Sequence, residues 1–403
     1  MSVNTLNFEQ VSTVLTSIVQ QATGQAVNTP TDTGSFVSVA QVALRADRDS
    51  VMQAISNILA RTIFSIRPYT AKMAGLEMDT FRWGAMMRKL SIADTDWEDD
   101  AAYEWPIFYD AGQTPPDGEG QSIDRWVIKK PNILQTNFYG QSVYSDHMTI
   151  TEDQLETAFT GPEQLGSFLS LLMTNLSNRL EMSNEGLRRG LICNAIGAIY
   201  DENQSDRIIH LLTEYNTLTG LNLTAQTVYD PANFGGFVKW VYSRVAQLTD
   251  LFTQNSVAFQ TTITGKPILR HTPYEFQKVY LYSPFMRQMD ARVLADTYHD
   301  NYLKYADVEA IPYWQSWDKM AQVDVTPSYV DNTGTLVTPG SNVQVENVLG
   351  VIFDRDAMGM SILDRRVLST PVNESGLYRN IWVHCKQRIV FDNTEKVAIL
   401  LLD

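Results

Sequence analysis

The chain has 403 residues, 44% of them hydrophobic and 19% charged, which is enough to bury a sizeable core and too many for one ordinary domain, so two or three structural units are expected. Lys and Arg number 31 against 46 Asp and Glu, a formal net charge of −15, which argues against nonspecific nucleic-acid binding because phosphate contacts need clustered cations. Cys193 and Cys385 stand in no metal or redox spacing and fit a reducing cytosolic origin; the start, MSVNTLNFEQ, lacks a signal peptide's basic flank and apolar core, and VAILLL, the longest strongly apolar run, is far short of a membrane span, so a soluble protein without membrane contact is expected.

The first sixty or so residues read as two amphipathic helices. Phe8, Val11, Val14, Leu15, Ile18 and Val19 lie at helical spacing with Gly24 as a stop, and SVAQVALRADRDSVMQAISNILARTIF repeats the pattern after the linker NTPTDTGS. Either a projecting arm or an ordinary helical subdomain satisfies this pattern. Residues from Trp97 to about Leu134 predict a long hairpin: Tyr103, Trp105, Ile107 and Tyr109 alternate on one strand, Trp126 and Ile128 answer on the other, and Gly112, Pro115, Pro116, Gly118 and Gly120 forbid regular structure at the tip. A two-stranded ribbon is marginal in water. Its aromatic face therefore needs a cover, either its own domain or another molecule.

Thr151 can cap a short helix ending near Phe159, and Thr160 with Glu163 forms a capping box with Pro162 in the first turn. From Leu165 to Ile199 apolar residues recur at helical spacing without a proline, predicting one helix of ~36 residues, roughly 54 Å long. Its flanking positions are too mild for a coiled-coil seam, so a beam across a sheet is expected. Residues from about Ile208 to Gly359 mix helices (GGFVKWVYSRVAQLTDLFT, SPFMRQMDARVLADTYHDNYLKY) with strands (KVYLYS, AQVDVTPSYV, VLGVIF). The tail predicts a strand, a protruding turn at Thr370 to Gly376, a long returning strand from Tyr378 to Phe391, a bend at Asp392 to Thr394 and a last apolar strand.

Residues suited to catalysis are sparse. His147, His210, His271, His299 and His384 are scattered outside any zinc spacing, TGKP at 264–267 lacks a phosphate loop's glycine frame, and no G-x-S-x-G elbow occurs. DTDWEDD at 94–100 opens like a calcium loop but has Asp99 where the sharp turn needs glycine. VLGVIFDRDAMG, an apolar strand ending in Asp354 and Asp356, is the remaining enzymatic candidate, a haloacid-dehalogenase-like phosphatase pair. That motif belongs on an early strand, and here little chain follows it. Arg188 with Arg189, Lys129 with Lys130, and Arg365 with Arg366 are pairs suited to salt bridges, not patches.

The order of parts, with RWGAMMRKLSI (82–92), IDRWVIKKPNILQTNFYGQSVYSDHMTIT (123–151), EDQLETAF (152–159), LLTEYNTLTG (211–220), PYWQSW (312–317), VLGVIFDRDAMG (348–359) and the closing TPVNESGLYRNIWVHCKQRIVFDNTEKVAILLLD, resembles the major capsid proteins of tailed bacteriophages, closest in look to those of small podoviruses. The resemblance implies the α+β Hong-Kong-97-type (Johnson) fold. On it, 1–62 is an N-terminal helical arm, 63–97 a connection, 98–132 the extended E-loop hairpin, 133–205 with 360–392 the peripheral domain with its spine helix and antiparallel sheet, and 206–359 with 393–403 the axial domain.

The function implied is self-assembly, without catalysis or cofactor, into hexamers and pentamers of an icosahedral head enclosing double-stranded DNA. Assembly in the host cytoplasm and residence in the virion follow, with a scaffolding protein, a portal protein and DNA bound without sequence-specific contacts as partners. Intersubunit contacts are expected from Trp105, Ile107, Tyr109, Pro115, Pro116, Trp126 and Ile128 of the E-loop, and from Pro371, Asn373, Glu374 and Tyr378 of the peripheral-domain loop. An encapsulin-like compartment subunit is the alternative of the same fold, and the phosphatase using Asp354 and Asp356 the alternative of another class.

Overall fold

The structure is a computed structural model that describes residues 8–23, 28–46, 72–78, 86–92, 126, 133–139, 142–151, 153–154, 162–265, 267–292 and 307–403. In chain order they form helices α1 (Phe8–Thr23) and α2 (Thr33–Ala46), strands β1 (Met86–Ile92), β2 (Ile133–Tyr139) and β3 (Ser142–Thr151), and the long helix α3 (Pro162–Glu202). Then come β4 (Ile208–His210), α4 (Leu211–Thr219), α5 (Pro231–Thr253), β5 (Gln277–Tyr282), α6 (Ser283–Arg292) and β6 (Asp307–Ile311). The short strands β7 (Val323–Val325), β8 (Tyr329–Val330), β9 (Leu336–Val337) and β10 (Val343–Val345) precede β11 (Val348–Asp354), β12 (Met358–Ser369), β13 (Tyr378–Phe391) and β14 (Val397–Leu401).

The beam predicted from Leu165 to Ile199 is present and longer, at 41 residues or about 61 Å. Its first half lays Leu176 and Leu180 against one core, and its second half lays Leu191, Ile192, Ala195, Ile196 and Ile199 against another. From Leu191 to Ile199 it is buried almost all round, as a helix apolar on every side must be. The first core lies under the antiparallel sheet β12–β13–β3. Alternation along β13 sends Ile381, Val383 and Cys385 inward with Met148 and Ile150 of β3. Val11, Leu15, Ile18 and Val19 of α1 and Phe36 and Ala40 of α2 complete this core, so both N-terminal helices pack on the body of their own chain. The helical stripe read from the sequence faces that sheet, with only Phe8, at the first position, left 36% exposed.

The second sheet has the order β4–β14–β11–β5–β6, antiparallel across its centre and parallel at both edges. It is covered on both faces. Val397, Ile399 and Leu401 turn towards α3 while Ala398, Leu400 and Leu402 turn towards Phe237, Val241, Val245 and Leu248 of α5. That double burial explains why VAILL and VLGVIF are continuous apolar runs without alternation. At Gly350, in the sheet centre, an added Cβ would stand 2.6 Å from Leu281 Cδ2 and 2.8 Å from the Tyr280 carbonyl, so only glycine fits.

Two expectations change. AQVDVTPSYV is not one strand: Pro327, which cannot donate to a ladder, separates β7, paired with β10, from β8, paired with β9. The helix expected from Gly235 begins at Pro231, whose missing N–H costs nothing at the first position. The predicted capping box at Thr160 and Glu163, the acidic run at 94–100 and the continuation of α6 beyond Arg292 lie outside the described residues.

Candidate functional site

β1 and β2 form an antiparallel ribbon registered from Met86↔Tyr139 to Ile92↔Ile133. Period two divides its side chains between two faces. Towards the body, Lys89 Nζ ion-pairs with both Asp392 and Glu395, and Arg270 donates to Ser91 Oγ at 2.8 Å while lying 3.2 Å from Glu395 Oε1. Away from it, Leu90, Ile92 and Ile133 are 63%, 62% and 55% exposed, an apolar face without cover among the described residues. The ladder ends at Ile92↔Ile133, and residues 93–132 run between those two ends. Trp105, Ile107, Tyr109, Pro115, Pro116 and Ile128, expected to make intersubunit contacts, lie in that stretch outside the described residues; Trp126 is 86% exposed.

The acids that hold the ribbon sit where the chain crosses from one sheet to the other. Asp392, Asn393, Thr394, Glu395 and Lys396 are all buried, and each is satisfied. Asp392 Oδ1 accepts from Thr394 N at 3.0 Å, and Asn393 accepts from Arg207 Nη1 at 2.5 Å while donating to Glu202 Oε2 at 2.8 Å. Lys396 donates to the Gln254 and Phe252 carbonyls and to Ser256 Oγ, closing the C-terminal end of α5. Burial pushes the Glu395 carboxyl above its ordinary range against the pull of Lys89 and Arg270, draws the Lys396 ammonium down to about 8, and draws Arg207 down to about 10.

The second ribbon, β12 with β13, ends in the turn predicted at 370–376. Pro371 and Glu374 are exposed there, and Tyr378 is partly covered. Asn373 is taken up within the turn: its N–H donates to the Tyr378 carbonyl at 2.8 Å, its Nδ2 to Tyr378 Oη at 3.0 Å, and its Oδ1 accepts from Ser375 N at 3.0 Å. Leu368 and Leu377, 56% and 52% exposed, stand on this ribbon and were not singled out in the sequence. Outward parity on a strand was the signal available for Leu368.

The phosphatase candidate is occupied by its own turn. Asp354 is buried; its Oδ2 accepts from Thr272 Oγ1 at 2.6 Å and its Oδ1 from Asp356 N at 2.8 Å. Burial raises its pKa, with the Thr272 hydrogen bond opposing. Asp356 faces solvent beside Arg355. The paired arginines make the salt bridges expected of them: Arg188 with Glu77, Arg189 with Glu185, and Arg366 with Asp364. Among the described residues no group of three or more His, Cys, Asp or Glu is placed to hold a metal ion, and no helix is long and apolar enough to cross a membrane.

A long helix laid across an antiparallel sheet, with a second sheet joined to it through residues 392–396, is the architecture of a phage capsid fold. The capsid structure of Staphylococcus phage Andhra covers 84% of this chain, and 87% of its own, at 11% identity with a TM-score of 0.50. The structure of head fiber and inner core protein gp22 of native bacteriophage P68 covers 83% of this chain and 85% of its own at 9% identity, also with a TM-score of 0.50. No curated protein matches the sequence. The chain belongs to the Phi29-like phage major capsid protein family, whose model matches residues 15–400. It is a shell subunit of a phage head, and its place is the virion. The match supports neither the compartment nor the phosphatase reading.

Proposed function

We propose that this subunit closes its shell by extending the stretch 98–132, as an E-loop, over a neighbouring copy, with Trp105, Ile107, Tyr109, Pro115, Pro116, Trp126 and Ile128 at the contact. The observation that carries this is the ribbon root: a ladder held to the body on its polar face, with Leu90, Ile92 and Ile133 exposed on the other and a long acidic stretch beyond its end. Burying one such large side chain is worth about 1.5–3 kcal/mol, and a closed shell repeats the contact at every subunit. Residues 133–205 with 360–392 then act as the peripheral domain and 206–359 with 393–403 as the axial domain. Pro371, Asn373, Glu374 and Tyr378 meet other copies at a second contact, where Asn373 keeps the turn in shape.

Hexamers and pentamers of such subunits enclose double-stranded DNA without sequence-specific contacts, which suits a net charge of −15. A scaffolding protein and a portal are the further partners, and the subunit acts without catalysis. Residues 110–124 contain no lysine, so mature particles should release intact monomers on a denaturing gel. The test is electron microscopy of the expressed protein, with scaffold, beside a variant in which residues 103–128 are replaced by a short Gly-Ser turn. Closed shells from the parent and folded but unassembled variant subunits are expected. Shells from both overturn the proposal.

A further inference from the structure

Lys89 Nζ contacts Asp392 Oδ2 and Glu395 Oε1 at once, where the ribbon root meets the crossing between the sheets. The two acid side chains are 3% and 9% exposed and the lysine 22%, so the three meet largely shielded from water. The other oxygen of Asp392, Oδ1, accepts from Thr394 N at 3.0 Å and from Thr394 Oγ1 at 2.7 Å. Arg270 Nη1 lies 3.2 Å from Glu395 Oε1 while its Nη2 donates to Ser91 Oγ, two residues along β1 from Lys89. An amine, a carboxyl carbon for it to attack, donors on the oxygen that takes up charge in such an attack, and a second carboxyl able to carry protons are thus in one place. Lys396, the other lysine buried at the crossing, is turned to the Phe252 and Gln254 carbonyls and Ser256 Oγ, so it is not the nucleophile.

We propose that Lys89 and Asp392 condense to an amide within the chain, with Glu395 relaying the proton. The ion pair is the state before reaction. Proton transfer from Lys89 to Asp392 Oδ2 gives a neutral amine and a carboxylic acid, removing two charges from a site where charge is costly. The Nζ lone pair then adds to Asp392 Cγ, and an electron pair moves to Oδ1, where the Thr394 N–H and hydroxyl already point. Glu395 takes a proton from Nζ and passes it to the Oδ2 hydroxyl; the Cγ–Oδ2 bond breaks, water leaves, and Oδ1 returns to a carbonyl. Nζ has lost two protons to that water and keeps one as the amide N–H, and Glu395 ends as it began. No oxidant, metal or energy source is consumed. Contact among the three groups supplies the orientation that the same condensation lacks in solution. Burial holds the Glu395 carboxyl above its ordinary range, which suits a group that must take up a proton and give it back.

The bond joins residues 303 apart in sequence and fixes the ribbon root covalently to the crossing. It lies within one chain, so subunits still run as monomers on a denaturing gel.

The test is the mass of the denatured chain, taken from folded protein before and after assembly. It should fall one water, about 18 Da, below the sequence mass. Tryptic digestion should yield a branched peptide joining the segment that carries Lys89 to IVFDNTEK. Lys89→Arg keeps a cation but has no condensing amine, and should regain the full mass. Glu395→Gln keeps both reacting groups, and should form the bond at least tenfold more slowly when followed at successive times after expression. The full sequence mass in the folded parent, without the branched peptide, overturns the proposal whether or not the variants fold. A lost water that maps to a cyclised Asp392–Asn393 link in place of the branched peptide overturns it as well.

Discussion

Lys89 of β1 is ion-paired to Asp392, 303 residues further along the chain, and the same ammonium reaches Glu395. One cation thus fastens the ribbon root to the crossing between the sheets. Removing it leaves two buried carboxylates with less compensating charge, Arg270 beside Glu395 and the buried Arg207 interacting with Asp392. Lys89→Met is therefore expected to destabilise the subunit by about 3 kcal/mol, as breaking a buried ion pair from one side does. Denaturant unfolding of Lys89→Met beside Lys89→Met with Asp392→Asn measures it, and the double variant should recover part of the loss.

Lys396 makes stability depend on pH in a specific direction. Its ammonium titrates near 8 in the folded chain against an ordinary 10.5, because burial disfavours the charge. Between those values the unfolded chain holds the extra proton, so stability rises with pH across the window and falls as pH drops through about 8. Thermal melts from pH 7 to pH 10.5 should show that rise, and Lys396→Met should flatten it relative to the parent.

Gly186 and Gly190 lie on the exposed side of α3, where an added Cβ meets nothing within 4 Å. A glycine inside a helix is about 1 kcal/mol less favourable than alanine. Gly186→Ala and Gly190→Ala should each raise the melting temperature of the isolated subunit. A drop for either would mean that the helix depends on its glycines.

Asp354 separates a structural acid from a catalytic one. Asparagine can keep both contacts, accepting from Asp356 N and donating to Thr272 Oγ1, and it removes the cost of a buried charge. Asp354→Asn is expected to stay within about 1 kcal/mol of the parent, and Asp354→Ala to lose about 2 kcal/mol through unsatisfied partners. Calorimetry of the subunits checks both, alongside phosphatase assays with magnesium that should read zero for the parent as well.

Local signals in the chain suffice where a residue's neighbours in sequence decide its environment. The uninterrupted apolar spacing between Leu165 and Ile199 meant a long helix, and alternation through Ile381, Val383 and Cys385 meant a strand with one buried face. The strand Met86–Ile92 within RWGAMMRKLSI carries no sustained alternation of its own. Its pairing with Ile133–Tyr139 spans the whole of 93–132, and no pattern inside either segment announces the partner. Pro327 is legible as a breaker inside AQVDVTPSYV, where two short strands replace one. Asn373 is legible as an exposed tip residue, while its hydrogen bonds within the turn are visible only in the structure.

By itself, the order of residues determined the long helix and the one-faced strands, and that groups suited to catalysis are sparse, because periodicity, charge and turn chemistry are local. Only the tertiary structure decided that α1 and α2 lie on their own sheet and that Lys89 meets Asp392 and Glu395. Those outcomes depend on which distant surfaces exclude water together and which buried charges must find an opposite, and burial of that kind is a property of the folded chain as a whole.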